Sequence, residues 1–235
     1  MEISISNIKK QYNRRTVLDI DELVINKGAI VGVIGNNGAG KTTLLRLMLD
    51  LLKANSGNIY SRGIDVSKDE KWKNYTSAYL DASFLIDFLT PEEYFAFIAG
   101  SYEKDLSTFD EQIEDFHAFM NNEILNQKKY IRDFSSGNKQ KIGIIGSVIS
   151  KPEILVLDEP FNYLDPTSQF FIKDYLSHLN KNEGVTMVIS SHNLECIYDI
   201  ATQLIVLENG KIIKHYNTVN FCVKEELKDY FKIDK

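Results

Sequence analysis

The stretch with the most evident chemistry is Gly35–Thr42, whose sequence is Gly-Asn-Asn-Gly-Ala-Gly-Lys-Thr. It fits the pattern G-x-x-x-x-G-K-[ST]. Glycines let a backbone approach phosphate oxygens closely, and consecutive N–H groups at a helix start form a cradle for anions. Lys41 is placed to reach the outer phosphates of a nucleotide, and Thr42 can offer its hydroxyl to Mg²⁺. A glycine-rich turn without a ligand is the alternative interpretation.

A second candidate element is the run Ile154–Glu159, four aliphatic residues followed by two acids. It predicts a buried strand whose carboxyl end carries the acids, and open α/β sheets bind ligands at that edge. Asp158 is then placed to hold Mg²⁺, and Glu159 to orient or deprotonate a water that attacks a γ-phosphate. A strand that ends in a solvated Asp-Glu turn is the alternative.

The elements that position these residues follow from the hydrophobic pattern. Ala29–Ile34 is almost wholly apolar, which predicts a buried strand directly before the loop. Leucines recur through Lys41–Leu52, which predicts a helix directly after it. Other predicted elements are strands at Ile3–Ile8, Val17–Ile25, Ser77–Leu80 and Val185–Ser190, helices from Pro91 and Pro166, a hairpin of Leu204–Leu207 and Lys211–His215, and a polar terminal helix.

Composition narrows the class of protein. The 235 residues carry a formal net charge of −6, which argues against a broad nucleic-acid footprint, so we expect no nucleic-acid partner. The two cysteines have no metal-ligand spacing and indicate a reduced, cytosolic setting. The longest apolar stretches, around Ala29–Ile34 and Ile142–Ile149, are too short to span a bilayer. Any work at a membrane would need a second chain to cross it.

A third segment, Phe134–Lys141, indicates a resemblance to a known protein family. Alone, its Ser-Ser-Gly-Asn sequence fits a helix cap or a loop. Because it precedes the acidic strand directly, the sequence resembles the ATP-binding cassette (ABC) family of ATPases over roughly residues 1–216. Their Leu-Ser-Gly-Gly-Gln signature matches residues 134–138, with a serine and an asparagine in place of a glycine and the glutamine. The resemblance implies that four residues grip the γ-phosphate of ATP held by a second cassette: Ser135, Ser136, Gly137 and Asn138.

Further positions match the family's motifs. Asn162–Asp165 resembles the D-loop that joins two sites across a dimer, with Asp165 as its acid. His192, after a predicted strand, resembles the switch histidine that touches the γ-phosphate. Tyr12 lies where the family stacks an aromatic ring on adenine, although a packed or half-exposed strand-end tyrosine fits equally. At the Q-loop position the family has glutamine and this chain has Asp81, an acid with a shorter reach that could still approach Mg²⁺.

The resemblance implies a complete set of site residues and a fold. The catalytic candidates are Glu159, His192 and Lys41, and the candidate Mg²⁺ ligands are Thr42, Asp158 and Asp81. The implied fold is an α/β P-loop NTPase core, a mixed sheet with flanking helices, with a helical subdomain insertion and an N-terminal antiparallel β region. Its ATPase domain would span 1–216, with a core of about 1–84 and 151–216, a helical subdomain of about 85–150, and a short tail at 217–235. The expected ATP-binding residues are Tyr12, Gly35, Asn36, Asn37, Gly38, Ala39, Gly40, Lys41, Thr42 and Thr43.

The implied function is the ATP-hydrolysing subunit of an ABC transporter. Two cassettes, expected to be identical copies, would close on ATP and Mg²⁺ and drive a separate membrane permease. The chain would then be cytoplasmic, held on the inner face of the cell membrane through that permease. Leu89–Glu93 and the short tail resemble exporter subunits. A soluble ABC-type ATPase acting on ribosomes or DNA, and a subunit that gates without hydrolysing, are the alternatives; a P-loop kinase or GTPase has no use for the signature segment.

Overall fold

The computed structural model describes residues 1–102 and 113–232. Within these residues the chain forms two β-sheets with helices packed around them. The strands are β1 (Ile3–Tyr12), β2 (Arg15–Ile25), β3 (Ile30–Ile34), β4 (Ser56–Ser61), β5 (Ile64–Asp65), β6 (Thr76–Tyr79), β7 (Ile154–Leu157), β8 (Thr186–Ser191), β9 (Gln203–Glu208) and β10 (Lys211–Tyr216). The helices are α1 (Lys41–Met48), α2 (Pro91–Ser101), α3 (His117–Met120), α4 (Ser136–Ile149), α5 (Pro166–Glu183), α6 (Leu194–Tyr198) and α7 (Phe221–Lys232).

The two sheets differ in strand direction. The smaller sheet is antiparallel, with the order β2-β1-β4-β5. The larger sheet has the order β10-β9-β3-β8-β7-β6, and every neighbouring pair in it is parallel except β10 with β9. The predicted mixed sheet and the predicted N-terminal antiparallel region are therefore confirmed.

The larger sheet separates two hydrophobic cores. Because successive side chains of a strand point to opposite faces, Val31 and Val33 lie in one core and Ile30 and Ile34 in the other. The first core also contains the leucines of α1 and the inner face of the smaller sheet. The second contains the apolar faces of α2, α4 and α5. All of β3 is buried, so it holds the loop that follows it firmly at the sheet edge.

Strand register brings the predicted site segments to one edge. Ile34 pairs with Ser191 at the ends of β3 and β8, and Leu157 pairs with Ile189 on β7 and β8. The chain segments that begin at Gly35, Asp158 and His192 therefore leave the sheet side by side. This is the ligand-binding edge of an open parallel sheet.

The helix after the loop is shorter than the sequence predicts. It ends at Met48 and not at Leu52 because Asp50 adopts a left-handed conformation, with φ of 50°. The N–H of Leu51 then donates to the carbonyl of Arg46 at 2.9 Å, and the N–H of Asp50 donates to Leu47 at 3.2 Å. Together these two bonds form a Schellman motif, and an aspartate here takes the place that glycine usually fills. The leucine pattern continues past Met48, but the backbone turns away.

The helical insertion is present, and its first helix begins as predicted. Pro91 opens α2, Thr90 caps it through the N–H of Glu93, and the Glu93 carboxylate accepts from the N–H of Thr90 at 2.8 Å. The predicted helical region also includes 103–112, which lies outside the described residues, as do the last three positions of the predicted tail. None of the helices in 1–102 and 113–232 has both the length and the apolar character needed to cross a membrane.

Candidate functional site

The phosphate-pattern loop runs from the end of β3 to the start of α1. Gly35 packs against β9 so closely that a Cβ would lie 2.2 Å from the carbonyl oxygen of Leu207. Gly40 has φ of 108°, a conformation open to glycine and strained for other residues. Within the described residues no side chain caps α1, so its first N–H groups are left for an anion. Thr43 is half-buried in the first turn of α1.

Thr42 and Asp158 lie together, as expected for a shared Mg²⁺ site. The Thr42 hydroxyl donates to Oδ2 of Asp158 at 2.6 Å, and the other carboxylate oxygen accepts from the Ser190 hydroxyl. Among the described residues no group of three or more His, Cys, Asp and Glu side chains could hold a metal ion. Hard oxygen donors from one hydroxyl and one carboxylate suit Mg²⁺, which takes its remaining ligands from substrate phosphates and water.

Glu159 contacts both Lys41 and His192. Its Oε1 lies 3.3 Å from Nζ of Lys41, and its Oε2 lies 2.8 Å from Nδ1 of His192. Lys41 is 6% exposed and also donates to the carbonyl of Gly35 at 2.7 Å. Glu159 thus contacts both of the other residues that the sequence predicts for catalysis, beside the phosphate loop.

The backbone of Glu159 is unusual. Its φ is 48°, a left-handed conformation in a residue with a Cβ, and it precedes Pro160. Such a conformation persists only where surrounding contacts determine it, and it is common at functional sites. Here the N–H donates to Ser190 Oγ at 2.9 Å, and the carbonyl accepts from the N–H of Asn162 at 3.1 Å.

The signature segment forms the start of α4 and contacts the D-loop segment. Ser135 is the N-cap of α4 and accepts from the N–H of Asn138 at 3.2 Å. Gly137 approaches the D-loop so closely that a Cβ would lie 2.7 Å from the carbonyl oxygen of Tyr163. The Asn138 side chain donates to Glu123 at 3.3 Å. The absence of a side chain at Gly137 thus allows α4 to pack closely against the D-loop segment of the same chain.

Asp165 caps α5 and is tied to α4. Its carboxylate accepts from the N–H and hydroxyl of Ser168 at 3.0 and 2.6 Å, and it lies 3.8 Å from Nζ of Lys141. The hydrogen bonds from Ser168 hold the pKa of this carboxyl below its ordinary value, with a smaller contribution from Lys141. The sequence motif therefore coincides with a helix cap.

A cleft of about 420 Å³ lies between α1 and α4. Its walls include Thr42 of the phosphate loop, Asp158 and Glu159 at the acidic strand end, Ser136 of the signature, Tyr163 of the D-loop and Asp81 after β6. Ser136 therefore faces the phosphate site of its own chain as well as solvent.

The structure places two predicted residues farther from the central contacts. Asp81 follows β6, accepts from the N–H of Ser83 at 2.8 Å and lies 3.5 Å from Arg46 on α1. Its carboxylate is thus directed to a cation and a backbone N–H within the chain. Tyr12 ends β1 with 48% of its surface exposed, and Nζ of Lys10 lies 4.8 Å from its ring centroid.

Several residues at the site have no role assigned from the sequence. Ser190 bridges Asp158 and Glu159, and Gln140 and Tyr79 continue the network on the opposite side of Glu159. Their positions carry a weak signal, since Ser190 ends a strand at the ligand edge and Gln140 lies one turn into the signature helix. No short motif distinguishes them from ordinary buried polar residues.

Comparison with known sequences identifies the family. A family model described as ABC transporter matches residues 18–162, more than half of the chain. An uncharacterized ABC transporter ATP-binding protein of Methanocaldococcus jannaschii is 30% identical over 232 residues, covering 97% of this chain and 82% of the relative. The bacitracin transport ATP-binding protein BcrA of Enterococcus faecalis is 32% identical over 219 residues, covering 92% and 69%. The methionine import ATP-binding protein MetN 1 of Oceanobacillus iheyensis is 31% identical over 234 residues, covering 92% and 66%.

Solved structures share the fold. An ATP-binding subunit of an ABC transporter superposes with a TM-score of 0.86 at 23% identity, covering the whole of both chains. A dimeric ATP-binding cassette in a post-hydrolysis state, bound to ADP and Pi, superposes with a TM-score of 0.81 at 20% identity, covering 93% of this chain and 99% of that one. With the sequence matches, these findings show that the chain belongs to the ABC transporter family and is one of its ATP-binding cassettes, an ATPase subunit.

Proposed function

We propose that this cassette hydrolyses ATP at the loop of Gly35–Thr42 and that Glu159 is its catalytic base. The observation that carries the proposal is the placement of the Glu159 carboxylate between Lys41 and His192 at the end of β7. Structural ion pairs are common, but this one lies beside uncapped helix N–H groups and a hydroxyl–carboxylate pair suited to Mg²⁺. All the parts of a phosphoryl-transfer site are therefore within one edge of the sheet.

Each residue has a distinct task in the proposed reaction. The loop N–H groups and Lys41 bind the phosphates, and bound Mg²⁺, held by Thr42 and Asp158, would neutralise charge on them. A carboxylate oxygen of Glu159 accepts a proton from water while the water oxygen bonds to the γ-phosphorus and the bond to the ADP oxygen breaks. His192 holds Glu159 in place and contacts the γ-phosphate. Tyr12 stacks on adenine, and Asp81 remains a candidate for the metal shell.

A second cassette completes the proposed site. The start of α4, Ser135–Asn138, supplies the γ-phosphate contacts to ATP bound by the partner, and Asp165 lies in the segment that links the two sites. Support comes from the solvent exposure of Ser136 in the wall of the cleft and from the dimeric state of the similar cassette bound to ADP and Pi. We propose a homodimer, with residues 1–216 as the ATPase domain and 85–150 as its helical subdomain.

We propose more specifically that this cassette is a subunit of a transporter and that a separate permease holds it at the inner face of the membrane. Relatives for bacitracin transport and for methionine import both match this chain, so the similarity fits either direction of transport. We propose export, because the Leu89–Glu93 segment resembles exporter subunits. Purification from cells of the species of origin, followed by identification of a co-purifying polytopic membrane protein, tests the permease. Co-purification with ribosomes or DNA instead would support the soluble alternative.

The decisive test of hydrolysis is Glu159→Gln. We expect kcat to fall by about 10²- to 10⁴-fold, the contribution of a general base, while ATP still binds because the phosphate loop is unchanged. ATP turnover and binding of a fluorescent ATP analogue by the full chain with Mg²⁺ measure both. A wild-type rate as low as that of the variant would exclude hydrolysis and favour the gating alternative.

A further inference from the structure

Gln140 connects the signature helix to the peptide of Glu159. It lies in the second turn of α4 and is 6% exposed. Its Nε2 donates to the carbonyl oxygen of Glu159 at 3.1 Å, and its Oε1 accepts from the Tyr79 hydroxyl at 3.1 Å. Both ends of the amide are therefore used. The Glu159 carbonyl can only accept, so the nitrogen end of the amide faces it and the oxygen end faces the Tyr79 hydroxyl.

Tyr79 is built into this position by its neighbours. It ends β6, is 3% exposed, and lies so close to α4 that a Cβ at Gly143 would be 2.0 Å from its ring. Burial raises the pKa of its hydroxyl, so the hydroxyl is protonated at neutral pH and can donate to Gln140. Strand, helix and side chain thus hold the Gln140 amide in one orientation.

The peptide that Gln140 contacts is the strained one. Glu159 has φ of 48°, and its N–H is held by Ser190 on one side. On the other side its carbonyl accepts from Asn162 N–H and from Gln140, two donors that arrive from different elements. The two peptide groups on either side of the Glu159 Cα are thereby held, and with them the direction in which the side chain leaves the backbone toward Lys41 and His192.

We propose that Gln140 is a positioning residue for ATP hydrolysis, holding the Glu159 peptide so that its carboxylate stays between Lys41 and His192. The inference rests on the catalytic role proposed above for Glu159. Tyr79 acts one step farther away by orienting the amide. Through Gln140, the helix whose first turn faces the partner subunit is also bonded to the catalytic turn of its own chain.

Three variants of the full chain separate the bonds. Gln140→Met removes the amide and keeps a side chain of similar length. Gln140→Glu keeps an oxygen that accepts from Tyr79 but loses the N–H that donates to Glu159. Tyr79→Phe keeps that N–H but removes the hydroxyl that holds the other end of the amide. We expect both Gln140 variants to lower kcat 10- to 100-fold with KM for ATP changed less than twofold, since a displacement of about 1 Å costs about 10²-fold. Tyr79→Phe should lower kcat only a few-fold.

The matched control is Asn180→Leu on α5. The Asn180 amide also donates to two backbone carbonyls, those of Gly28 and Val185, but at the opposite, amino end of the parallel strands. We expect it to lower the melting temperature and leave kcat within twofold of wild type. A comparable fall in kcat in this variant would show that loss of any such amide slows the enzyme, which overturns the proposal.

A double variant tests whether Gln140 acts through Glu159. In the Glu159→Gln background, Gln140→Met should change the residual ATPase rate less than twofold, since residues that act as a unit are not additive. A fall as large as in the wild-type background overturns the positioning role. So does an unchanged kcat in Gln140→Met, and in that case the role of Glu159 still stands. An unchanged rate in Glu159→Gln alone removes the proposed function itself. If Gln140→Met fails to fold, the comparison rests on the other two variants. A kcat of Gln140→Glu that is no lower than that of Tyr79→Phe then overturns the inference.

Discussion

Glu159 contacts two partners with one carboxylate, Lys41 and His192, and this arrangement explains how the Lys41 side chain can be only 6% exposed. A buried ammonium without a counter-charge is costly. Glu159 and two loop carbonyls, those of Gly35 and Asn36, supply the missing contacts.

At the residue scale we predict that Ser190→Ala impairs both stability and turnover. Ser190 is fully buried, accepts from the Glu159 N–H and donates to Asp158. Its loss leaves buried polar groups unpaired, at a cost of about 1–3 kcal/mol, and frees the Glu159 peptide. Thermal unfolding and ATPase assays measure the two effects. The control is Ser177→Ala, which removes a hydroxyl that donates to the carbonyl of Lys173, one turn back in α5. Both measurements should stay near wild type in that variant.

The site residues with fixed motif spacing are predictable from sequence, and their supporting residues are not. Lys41, Thr42, Asp158 and Glu159 are recognisable because phosphate chemistry requires those side chains at those offsets from a strand end. Gln140 is different, since its task depends on how one helix lies against a turn formed by residues well beyond it. Gly35 shows a third case, where the motif glycine is also required by contact with the Leu207 carbonyl, which no local pattern reveals.

At the scale of elements, α4 carries two glycines that make room for tyrosines. A Cβ at Gly143 would lie 2.0 Å from the Tyr79 ring, and a Cβ at Gly146 would lie 2.7 Å from the Tyr94 ring. Glycine lowers helix propensity, so its presence twice on one buried face is explained by packing. The helix is thereby drawn close to both β6 and α2.

We predict that Gly143→Ala lowers the free energy of unfolding by about 1–3 kcal/mol, because the new methyl group overlaps the buried Tyr79 ring and forces the packing to shift. Chemical denaturation measures the change. Gly100→Ala is the control, since Gly100 is also in a helix, α2, but a Cβ there meets nothing within 4 Å. That substitution should be neutral or stabilise by up to about 1 kcal/mol. Equal effects of the two would contradict the packing argument.

Secondary-structure elements bounded by characteristic turn residues can be predicted from the sequence. Elements that depend on pairing with a distant strand cannot. The hairpin of β9 and β10 follows from Asn209-Gly210, whose φ angles of 48° and 77° are both positive, as a two-residue turn of that type requires. Strands β4 and β5 have no such signal, since Ser56–Ser61 is polar at most positions and is defined by pairing with β1. The early end of α1 likewise depends on one left-handed aspartate.

At the scale of the whole molecule, Arg62 links the smaller sheet to the larger one through ion pairs with Glu2 and Glu153. Arg62, just after β4, donates to Glu2 with Nε at 2.7 Å and to Glu153, beside β7, at 2.8 Å. Glu2 has a side chain only 5% exposed. Hydrogen bonds to Glu153 and Glu2 raise the pKa of Arg62 above its ordinary value. The two sheets therefore share a charged contact in addition to the apolar core between them.

We predict that Arg62→Met lowers the free energy of unfolding by about 3 kcal/mol, because the Glu2 carboxylate is left buried without its cation. Adding Glu2→Gln to that variant should recover much of the loss, which distinguishes an unpaired charge from lost packing. The control is Lys73→Met, which breaks an exposed pair with Glu70 at 2.9 Å and should cost less than about 1 kcal/mol. Similar losses in the two single variants would contradict the account.

The place of β3 in the larger sheet has a consequence for the chain as it is being made. Its neighbours are β8 and β9, which begin only at Thr186 and Gln203. A ribosome therefore releases the apolar strand Ile30–Ile34 and its glycine loop long before either partner strand exists, and this strand stays unpaired while most of the chain is synthesised. We therefore expect the growing polypeptide to bind ATP only after β8 and β9 have been synthesised and paired with β3.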